Sequence, residues 1–193
     1  MKVALVGVGL IGGSMAISLK ESGWASKVIG VDLSREHLDM ALRRKIIDVS
    51  ADLDKAVDDA DVILVATPVD VMVKIIPMIL DRISPDQIVS DVGSSKTAIG
   101  AAIATHSRRG RFVSAHPMAG TEFAGPDFAI PHMFDNRCTV VCDRALCDKD
   151  ALDRIESMYN ALKMKVLYMK SDDHDVHAAY ISHISHILSL IHI

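Results

Sequence analysis

A histidine and a glutamate stand six residues apart in the segment Ser-Ala-His-Pro-Met-Ala-Gly-Thr-Glu, which spans residues 114–122. His116 could take up a proton near neutral pH, which suits the loss of a hydroxyl proton while hydride leaves the same carbon. Glu122 could orient a neighbouring group or gate a substrate. Each residue also has a structural interpretation: His116 as a strand-end histidine bonded to the backbone, and Glu122 as a solvated loop carboxylate.

A serine and a lysine lie in a second polar segment, Asp-Val-Gly-Ser-Ser-Lys at residues 91–96, between a strand pattern and a helix pattern. In a parallel sheet this position is the carboxyl edge, where ligands bind. We predict that Ser94 hydrogen-bonds a substrate hydroxyl or the catalytic imidazole and that Lys96 holds a substrate carboxylate. The alternative for Ser94 is a plain N-cap of the following helix.

A cofactor-binding pattern opens the chain. Gly-Val-Gly-Leu-Ile-Gly at residues 7–12 follows a predicted strand and begins a predicted helix, as in dinucleotide-binding proteins. Gly7 permits the tight turn, Gly9 lets a pyrophosphate approach the backbone, and Gly12 lets the helix pack closely on the strand. Asp32, twenty residues after Gly12, is placed to accept hydrogen bonds from ribose hydroxyls.

The cofactor that this pattern favours is NAD rather than NADP, because the Asp32 carboxylate repels a 2′-phosphate. Arg35 is the counter-argument, since a nearby arginine can accommodate that phosphate. The turn at residues 66–68 should also meet the cofactor, although a plain strand-to-helix turn explains it equally well. The predicted cofactor-binding residues are Gly7, Gly9, Leu10, Ile11, Gly12, Asp32, Thr67 and Pro68.

These side chains need a scaffold in which strands alternate with helices, and the hydrophobic pattern predicts one. Continuous Val/Ile/Leu strands separated by helices indicate a mostly parallel sheet covered on both faces, an α/β fold of the doubly wound Rossmann type. The longest segment without regular structure is 120–132. The predicted strands are 2–6, 28–31, 62–66, 87–90, 111–114, 137–142 and 165–168, and the predicted helices are 12–22, 35–44, 52–58, 69–81, 96–106 and 148–162.

The pattern changes after Ser171, where an apolar, His-rich helix is predicted. We therefore place a domain boundary there, with an NAD-binding domain at 1–170 and the start of a second domain at 171–193. This last helix shows no Gly, Asn or Pro stop signal, so we expect the natural chain to continue. Whether Leu188–Ile193 is native sequence stays open.

Two histidines of that helix, His183 and His186, are three residues apart and share one face. A third metal ligand at recognisable spacing is lacking, so we predict no metal site. They could instead line a polar pocket, reach an anionic substrate, or belong to a partly buried packing face. His174 carries no signal beyond that of a polar helix surface.

Composition excludes several classes of partner. The 193 residues carry a formal net charge of -4, which gives no reason to expect nucleic acid or an anionic membrane. No apolar run reaches the roughly 18 residues that span a bilayer, and the N-terminus does not read as a signal peptide. Cys138, Cys142 and Cys147 cannot all pair and lack zinc-type spacing, which is typical of reduced thiols in the cytoplasm.

Four segments together resemble the prephenate dehydrogenase family of tyrosine biosynthesis. They are Val-Gly-Val-Gly-Leu-Ile-Gly-Gly-Ser at 6–14, the 91–96 segment, His-Pro-Met-Ala-Gly-Thr-Glu at 116–122, and Ser-His-Ile-Ser-His at 182–186. They occur in the family's order and cover nearly the whole chain. The pairing of the second and third segments is the specific part, since other dinucleotide-binding folds share only the first.

The resemblance implies an NAD-dependent oxidative decarboxylation of prephenate to 4-hydroxyphenylpyruvate, driven largely by aromatisation. It implies that His116 polarises the ring hydroxyl, that Ser94 contacts both His116 and that hydroxyl, and that Glu122 is a gating carboxylate. His183 and His186 would face the substrate. It also implies an all-helical second domain, of which only the first helix is present, and a homodimeric full-length protein.

Several alternatives remain at this stage. Arogenate differs from prephenate by an amino group in place of the keto oxygen, and no residue distinguishes them. A β-hydroxyacid dehydrogenase would need a catalytic lysine on a second-domain helix, which the tail lacks. A nucleotide-binding module without chemistry is disfavoured by Ser94, His116 and Glu122. Because much of the second domain is absent, we expect this chain to bind NAD but to turn over poorly or not at all.

Overall fold

The computed structural model describes residues 1–180, and strands and helices alternate along this part of the chain. The strands are β1 Lys2–Val6, β2 Lys27–Val31, β3 Val49–Ser50, β4 Val62–Val65, β5 Ile88–Asp91, β6 Phe112–Pro117, β7 Cys138–Cys142 and β8 Lys165–Met169. The helices are α1 Leu10–Glu21, α2 Arg35–Arg43, α3 Leu53–Asp59, α4 Val69–Arg82, α5 Thr97–Ala102, α6 Lys149–Ala161 and α7 Ser171–Ala178.

The strands form one sheet in the order β3-β2-β1-β4-β5-β6-β7-β8. Strands β1 to β6 are parallel to one another, whereas β7 is antiparallel to β6 and β8 is parallel to β7. The order of the first six strands is that of a Rossmann-type, doubly wound sheet, which confirms the predicted fold class. The carboxyl ends of β1, β4 and β5 therefore meet at one edge.

Both faces of the sheet are buried, as continuous apolar strands require. In β1, Val3 and Leu5 pack into one core with residues of α1 and α6. Ala4 and Val6 point to the other face and pack with residues of α3, α4 and α5. The alternation of side chains along the strand thus supplies two cores from one sequence of apolar residues.

Strand β6 changes partners halfway along its length. Phe112 and Val113 pair with β5, whereas residues 114–117 pair with β7, so that His116 lies opposite Val140. The predicted strand 111–114 was too short, because the pairing that extends it comes from a strand more than twenty residues later in the chain. His116 accordingly lies inside the strand, and Pro117 occupies its last position, where a missing N–H is tolerated.

Smaller differences concern elements with weak sequence signals. The two-residue strand β3 at the sheet edge was not predicted, and α5 ends at Ala102 rather than at residue 106. The irregular segment 120–132 contains a short 3-10 helix, Pro126–Phe128. Arg44 holds this segment against the end of α2 by donating to the carbonyl oxygens of Pro126 and Ala129. Within residues 1–180, no helix combines the length and apolar character needed to cross a bilayer.

Replacing Gly12 by alanine should destabilise the fold, because a Cβ there would lie 2.6 Å from the backbone oxygen of Gly7 and 2.8 Å from Leu5 Cδ1. Overpacking of this kind costs about 1–3 kcal/mol. Gly100→Ala is the matched control: its nearest neighbour would be Ser171 Oγ at 3.7 Å, an ordinary contact. Urea denaturation should show a loss for the first variant and none for the second; equal stabilities would contradict the packing argument.

Candidate active site

The glycine-rich turn lies between the end of β1 and the start of α1. Gly7 has a φ of 95°, and a Cβ there would lie 2.6 Å from the backbone oxygen of Ala66, so no side chain fits. A Cβ at Gly9 would have no atom within 4 Å, so the backbone is open to a ligand at this point. The first N–H groups of a helix have no intrahelical partner, and here they belong to the turn that contains Leu10, Ile11 and Gly12.

A cavity of about 580 Å³ adjoins this turn. Of the predicted cofactor-binding residues, Gly7, Gly9, Asp32, Thr67 and Pro68 line it, whereas Leu10 is buried and Ile11 partly buried at the first turn of α1. The remaining lining side chains are largely apolar. They are contributed by Val6, Val31, Leu33, Ala51, Leu53, Ala66, Val71 and Ile75, together with His37 and Asp52.

Asp32 stands at the end of β2 with both carboxylate oxygens engaged by backbone donors. Its Oδ2 accepts from Val8 N–H at 2.8 Å and its Oδ1 from Ser34 N–H at 2.8 Å. The carboxylate is 14% exposed, so it still reaches the cavity. Arg35, the residue that argued for NADP, pairs with Asp39 on its own helix at 3.1 Å.

A second cavity, of about 800 Å³, lies beyond the carboxyl end of the sheet and brings together Ser94, His116 and Glu122. Ser94 does not cap α5, whose N-cap residue is Lys96. Its hydroxyl makes no hydrogen bond to another described residue. A Cβ on Gly120, which also lines the cavity, would lie 3.9 Å from Ile11, so this wall approaches the glycine-rich turn.

His116 is linked to α7 by a row of polar contacts. Its Nδ1 lies 2.9 Å from Nε2 of His174, and Nδ1 of His174 lies 2.8 Å from Oδ1 of Asp175. Asp175 in turn accepts from the backbone N–H groups of Lys96 at 2.7 Å and Thr97 at 2.9 Å. Nε2 of His116 is therefore the ring nitrogen available to a ligand in the cavity.

These contacts set the charge states of two groups. Burial, reinforced by the positive charge of Lys96 and by His174, lowers the pKa of His116 to about 4, against a weaker opposing effect of Asp175. Burial by itself would raise the pKa of Asp175, but hydrogen bonds from Thr97, His174 and Lys96 outweigh it and lower that pKa to about 2. At neutral pH, His116 is an uncharged imidazole and Asp175 a carboxylate.

Lys96 does not reach the cavity, which corrects the prediction that it holds a substrate carboxylate. Its side chain and that of Asp91 are both 0% exposed, and the two form a buried ion pair. The ammonium also donates to the carbonyl oxygen of Ala115 at 2.7 Å. Burying a charged group is tolerated only with such partners, so this lysine is committed to the interior.

Sequence reasoning also missed residues that the fold brings to the site. His174 is only 2% exposed and touches His116, so the prediction of a polar surface position was wrong. His132 and Arg137 also line the larger cavity, and the Arg137 guanidinium adds positive charge to it. The adjacent His-Asp pair at 174–175, in the second turn of a helix, was the one available signal. His183 and His186 lie outside the described residues, as do residues 188–193.

Within residues 1–180, no group of three or more His, Cys, Asp or Glu side chains is arranged to hold a metal ion. The three cysteines are unpaired thiols. Burial raises the pKa of Cys142 to about 12 and also raises that of Cys147, so neither thiol ionises readily.

Comparison with known proteins identifies similar chains. A prephenate dehydrogenase of Bacillus subtilis (strain 168) is 31% identical over 98% of this chain and 53% of its own length. The chain thus spans about half the length of the curated relatives that it matches. The crystal structure of a prephenate dehydrogenase from A. aeolicus, in complex with hydroxyphenyl propionate and NAD+, superposes with a TM-score of 0.87 at 28% identity, over 100% of this chain and 70% of that one.

The crystal structure of Synechocystis arogenate dehydrogenase superposes with a TM-score of 0.85 at 33% identity, over 95% of this chain and 64% of that one. The family model described as "Prephenate dehydrogenase, nucleotide-binding domain" matches residues 15–168, most of the chain. With the sheet order and the glycine-rich turn, this match shows that the chain belongs to the prephenate dehydrogenase family, with residues 15–168 corresponding to the family's nucleotide-binding domain.

Proposed function

We propose that this chain is the NAD-binding and catalytic part of an enzyme that converts prephenate to 4-hydroxyphenylpyruvate by oxidative decarboxylation, as a step towards tyrosine. The observation that carries the proposal is the position of His116. An uncharged imidazole, whose Nε2 bonds no described residue, lines a cavity together with Ser94, and one wall of that cavity approaches the glycine-rich turn.

The residues around the turn fit a dinucleotide. The open space over Gly9 and the N-terminus of α1 suit a pyrophosphate, because backbone N–H groups and the helix dipole favour an anion there. The cavity of about 580 Å³ suits an adenosine moiety, with apolar side chains around it. Thr67 contributes a buried hydroxyl that has no hydrogen-bond partner among the described residues, as a ligand-contacting group would.

NAD is favoured over NADP by the charge at the end of β2. Asp32 presents a carboxylate where the ribose hydroxyls would lie, and lone pairs remain on oxygens that already accept from the backbone. The pairing of Arg35 with Asp39 turns the nearest arginine towards its own helix. A 2′-phosphate would therefore lie beside the negative charge of Asp32, while the Arg35 guanidinium is paired with Asp39.

Three residues of the larger cavity, His116, Ser94 and Glu122, have roles in the proposed reaction. The bound cofactor supplies the acceptor for hydride. Nε2 of His116 accepts the proton of the ring hydroxyl, and Ser94 hydrogen-bonds the same oxygen to hold it in place. Loss of carbon dioxide then completes the aromatic ring. Glu122, at the rim of the cavity, gates the substrate.

The rest of the proposal concerns the second domain. Residues 1–170 form the NAD-binding domain, and residues 171–193 begin a helical domain that supplies the dimer contacts of a cytoplasmic homodimer. His183 and His186, which lie outside the described residues, are the proposed substrate contacts of that domain. Arg137 gives this chain a cation of its own for a carboxylate of prephenate, and His132 lines the same cavity. Arogenate, with an amino group on its side chain, is the second candidate substrate, supported by the likeness described above.

Gly9→Ala should weaken NAD binding by about tenfold or more without loss of stability, because a Cβ there meets no protein atom but occupies the space that the pyrophosphate needs. Titration calorimetry with the 193-residue chain measures the affinity, and urea denaturation measures the stability. Gly100→Ala, far from the turn, is the control and should bind NAD normally. Undiminished affinity in Gly9→Ala would place the cofactor elsewhere.

His116 should remain unprotonated down to about pH 5, since its pKa is lowered to about 4. The groups that face it are Lys96, His174 and Asp175, with Glu122 in the same cavity. The unfolded histidine binds a proton below about pH 6.5, so the contribution of His116 to stability is lost as the pH falls towards 4.

Wild-type protein should therefore lose on the order of 3 kcal/mol more than His116→Asn between pH 7 and 4, as measured by urea denaturation. An NMR titration of the His116 ring supplies the direct value. A midpoint near 6.5 in the folded chain would show that burial and Lys96 do not act on this ring as the structure indicates.

Turnover tests the reaction itself. The full-length gene product with prephenate and NAD+ should form NADH, and His116→Asn should lower kcat by about 10²–10⁴-fold while leaving NAD affinity unchanged. His106→Asn is the control, because His106 pairs with Asp81 and lines neither cavity. The 193-residue chain alone should turn over poorly. An intact enzyme inactive on both prephenate and arogenate would overturn the assignment, whereas an unchanged rate in His116→Asn would remove this residue from it.

A further inference from the structure

We propose that His174 and Asp175 are positioning residues that set the tautomer of His116, so that its proton resides on Nδ1 and its Nε2 lone pair faces the cavity. This inference deepens the proposed function and rests on His116 acting there as the proton acceptor. It adds a role for α7, the helix that begins beyond the family-model match at residues 15–168.

The direction of each hydrogen bond follows from the end of the row. Asp175 is ionised at neutral pH and can only accept, so Nδ1–H of His174 donates to it across 2.8 Å. With a neutral His174, the unprotonated Nε2 then accepts from Nδ1–H of His116 across 2.9 Å. The remaining nitrogen of His116 carries no proton, which is the form that can receive one from a hydroxyl.

The carboxylate is well placed for this task because it is held from a second side. Its two oxygens accept the backbone N–H groups of Lys96 and Thr97, and Oδ1 also accepts from His174. These donors belong to the turn that carries Ser94 and to the start of α5. His174 itself is 2% exposed, so water does not compete for its ring nitrogens.

A protonated His174 would reverse the outcome. Both of its nitrogens would then donate, Nδ1 of His116 would accept, and the His116 proton would move to Nε2. A neutral His174 therefore predicts the Nδ1–H tautomer of His116, and a protonated His174 predicts the Nε2–H tautomer.

The decisive variant is Asp175→Ala, which removes the acceptor at the end of the row. Asparagine is unsuitable, because its oxygen can take the place of Oδ1 and go on accepting from Lys96 N–H and from Nδ1–H of His174, which leaves the row unchanged. In Asp175→Ala no carboxylate holds the His174 proton on Nδ1, so His174 can carry it on Nε2 and donate to Nδ1 of His116. The His116 proton then resides on its own Nε2 in part of the molecules, and this form cannot accept a proton from the substrate hydroxyl.

The first measurement is NMR of ¹⁵N-histidine-labelled 193-residue chain, with the His116 signals assigned from His116→Asn. At pH 7 the wild type should show a protonated Nδ1 and a bare Nε2 on His116, and Asp175→Ala should show both tautomers. Asp173→Asn is the matched control: it removes the same charge from the same helix at an exposed position. It should leave the His116 tautomer unchanged.

The second measurement is kinetic, on the full-length enzyme. Asp175→Ala should lower kcat about tenfold or more with NAD affinity unchanged, whereas Asp173→Asn should behave as the wild type. His174→Phe, which keeps the ring shape but cannot accept a hydrogen bond, should abolish the preference for Nδ1–H on His116. It serves as the second variant if Asp175→Ala fails to fold.

A wild-type His116 with its proton on Nε2 would overturn the proposal without any variant. So would an Asp175→Ala or His174→Phe protein in which His116 keeps the wild-type tautomer alone. Because the tautomer is read without substrate, these results are separate from the proposed reaction. If His116 shows the expected tautomer but the full-length enzyme is inactive on prephenate and arogenate, the positioning role of His174 and Asp175 stands and the proposed function is wrong.

Discussion

The site depends on the buried ion pair between Asp91 and Lys96. Strand β5 ends at Asp91, and β6 continues beyond it without a neighbouring strand on that side. The pair supplies the missing backbone partners: Asp91 accepts from Ala115 N–H at 3.2 Å, and Lys96 donates to the Ala115 carbonyl at 2.7 Å. The side chains of Asp91 and Lys96 thus bond the backbone N–H and carbonyl of Ala115 as a neighbouring strand would. His116 is the next residue, so the pair also fixes its position.

The same pair also shapes the segment that carries Ser94. Oδ2 of Asp91 accepts from Gly93 N–H at 2.8 Å, and a Cβ on Gly93 would lie 2.9 Å from that oxygen. The turn is therefore closed over the carboxylate. Burying two charges is costly in itself, and removing one partner from such a pair typically costs about 3–5 kcal/mol. In this fold the buried pair bonds both segments, and so it fixes the turn that carries Ser94 against the strand that carries His116.

Much of the fold could be predicted from the sequence, because the signals for it are local. The strand-turn-helix at residues 2–21 and the apolar strands of the parallel sheet are patterns of neighbouring residues. His116, Ser94 and Glu122 were found in the same way, from segments at strand ends, and they line one cavity.

What could not be predicted depends on contacts between distant segments. His174 meets His116 across 58 positions of the chain, and Asp175 meets Lys96 across 79. A lysine two residues after a serine in a polar turn has the pattern of a substrate-binding group. Only the path of β6 shows that the lysine ammonium is bonded inside the protein, to the Asp91 carboxylate and the Ala115 carbonyl. The same distance effect hid the extension of β6, which β7 creates.

The position of α7 changes how the two parts of the chain should be divided. By its secondary structure the nucleotide-binding domain ends with β8, at Met169. By its hydrogen bonds it does not, because Asp175 accepts from the N–H groups of Lys96 and Thr97 and so completes the start of α5. Helix α7, which follows the last strand of the sheet, thus closes the site, and any movement of α7 relative to α5 would act on His116 directly.

A weakly basic imidazole is consistent with the proposed reaction. With a pKa of about 4, His116 is a weak base, so proton transfer to it has little driving force. The same low pKa keeps the imidazole unprotonated, and so able to accept a proton, at every physiological pH. The reaction itself makes up for the first property, since loss of carbon dioxide and formation of an aromatic ring are strongly favourable. A stronger base would be partly protonated near neutral pH, so burial beside Lys96 exchanges basicity for a constant supply of the reactive form.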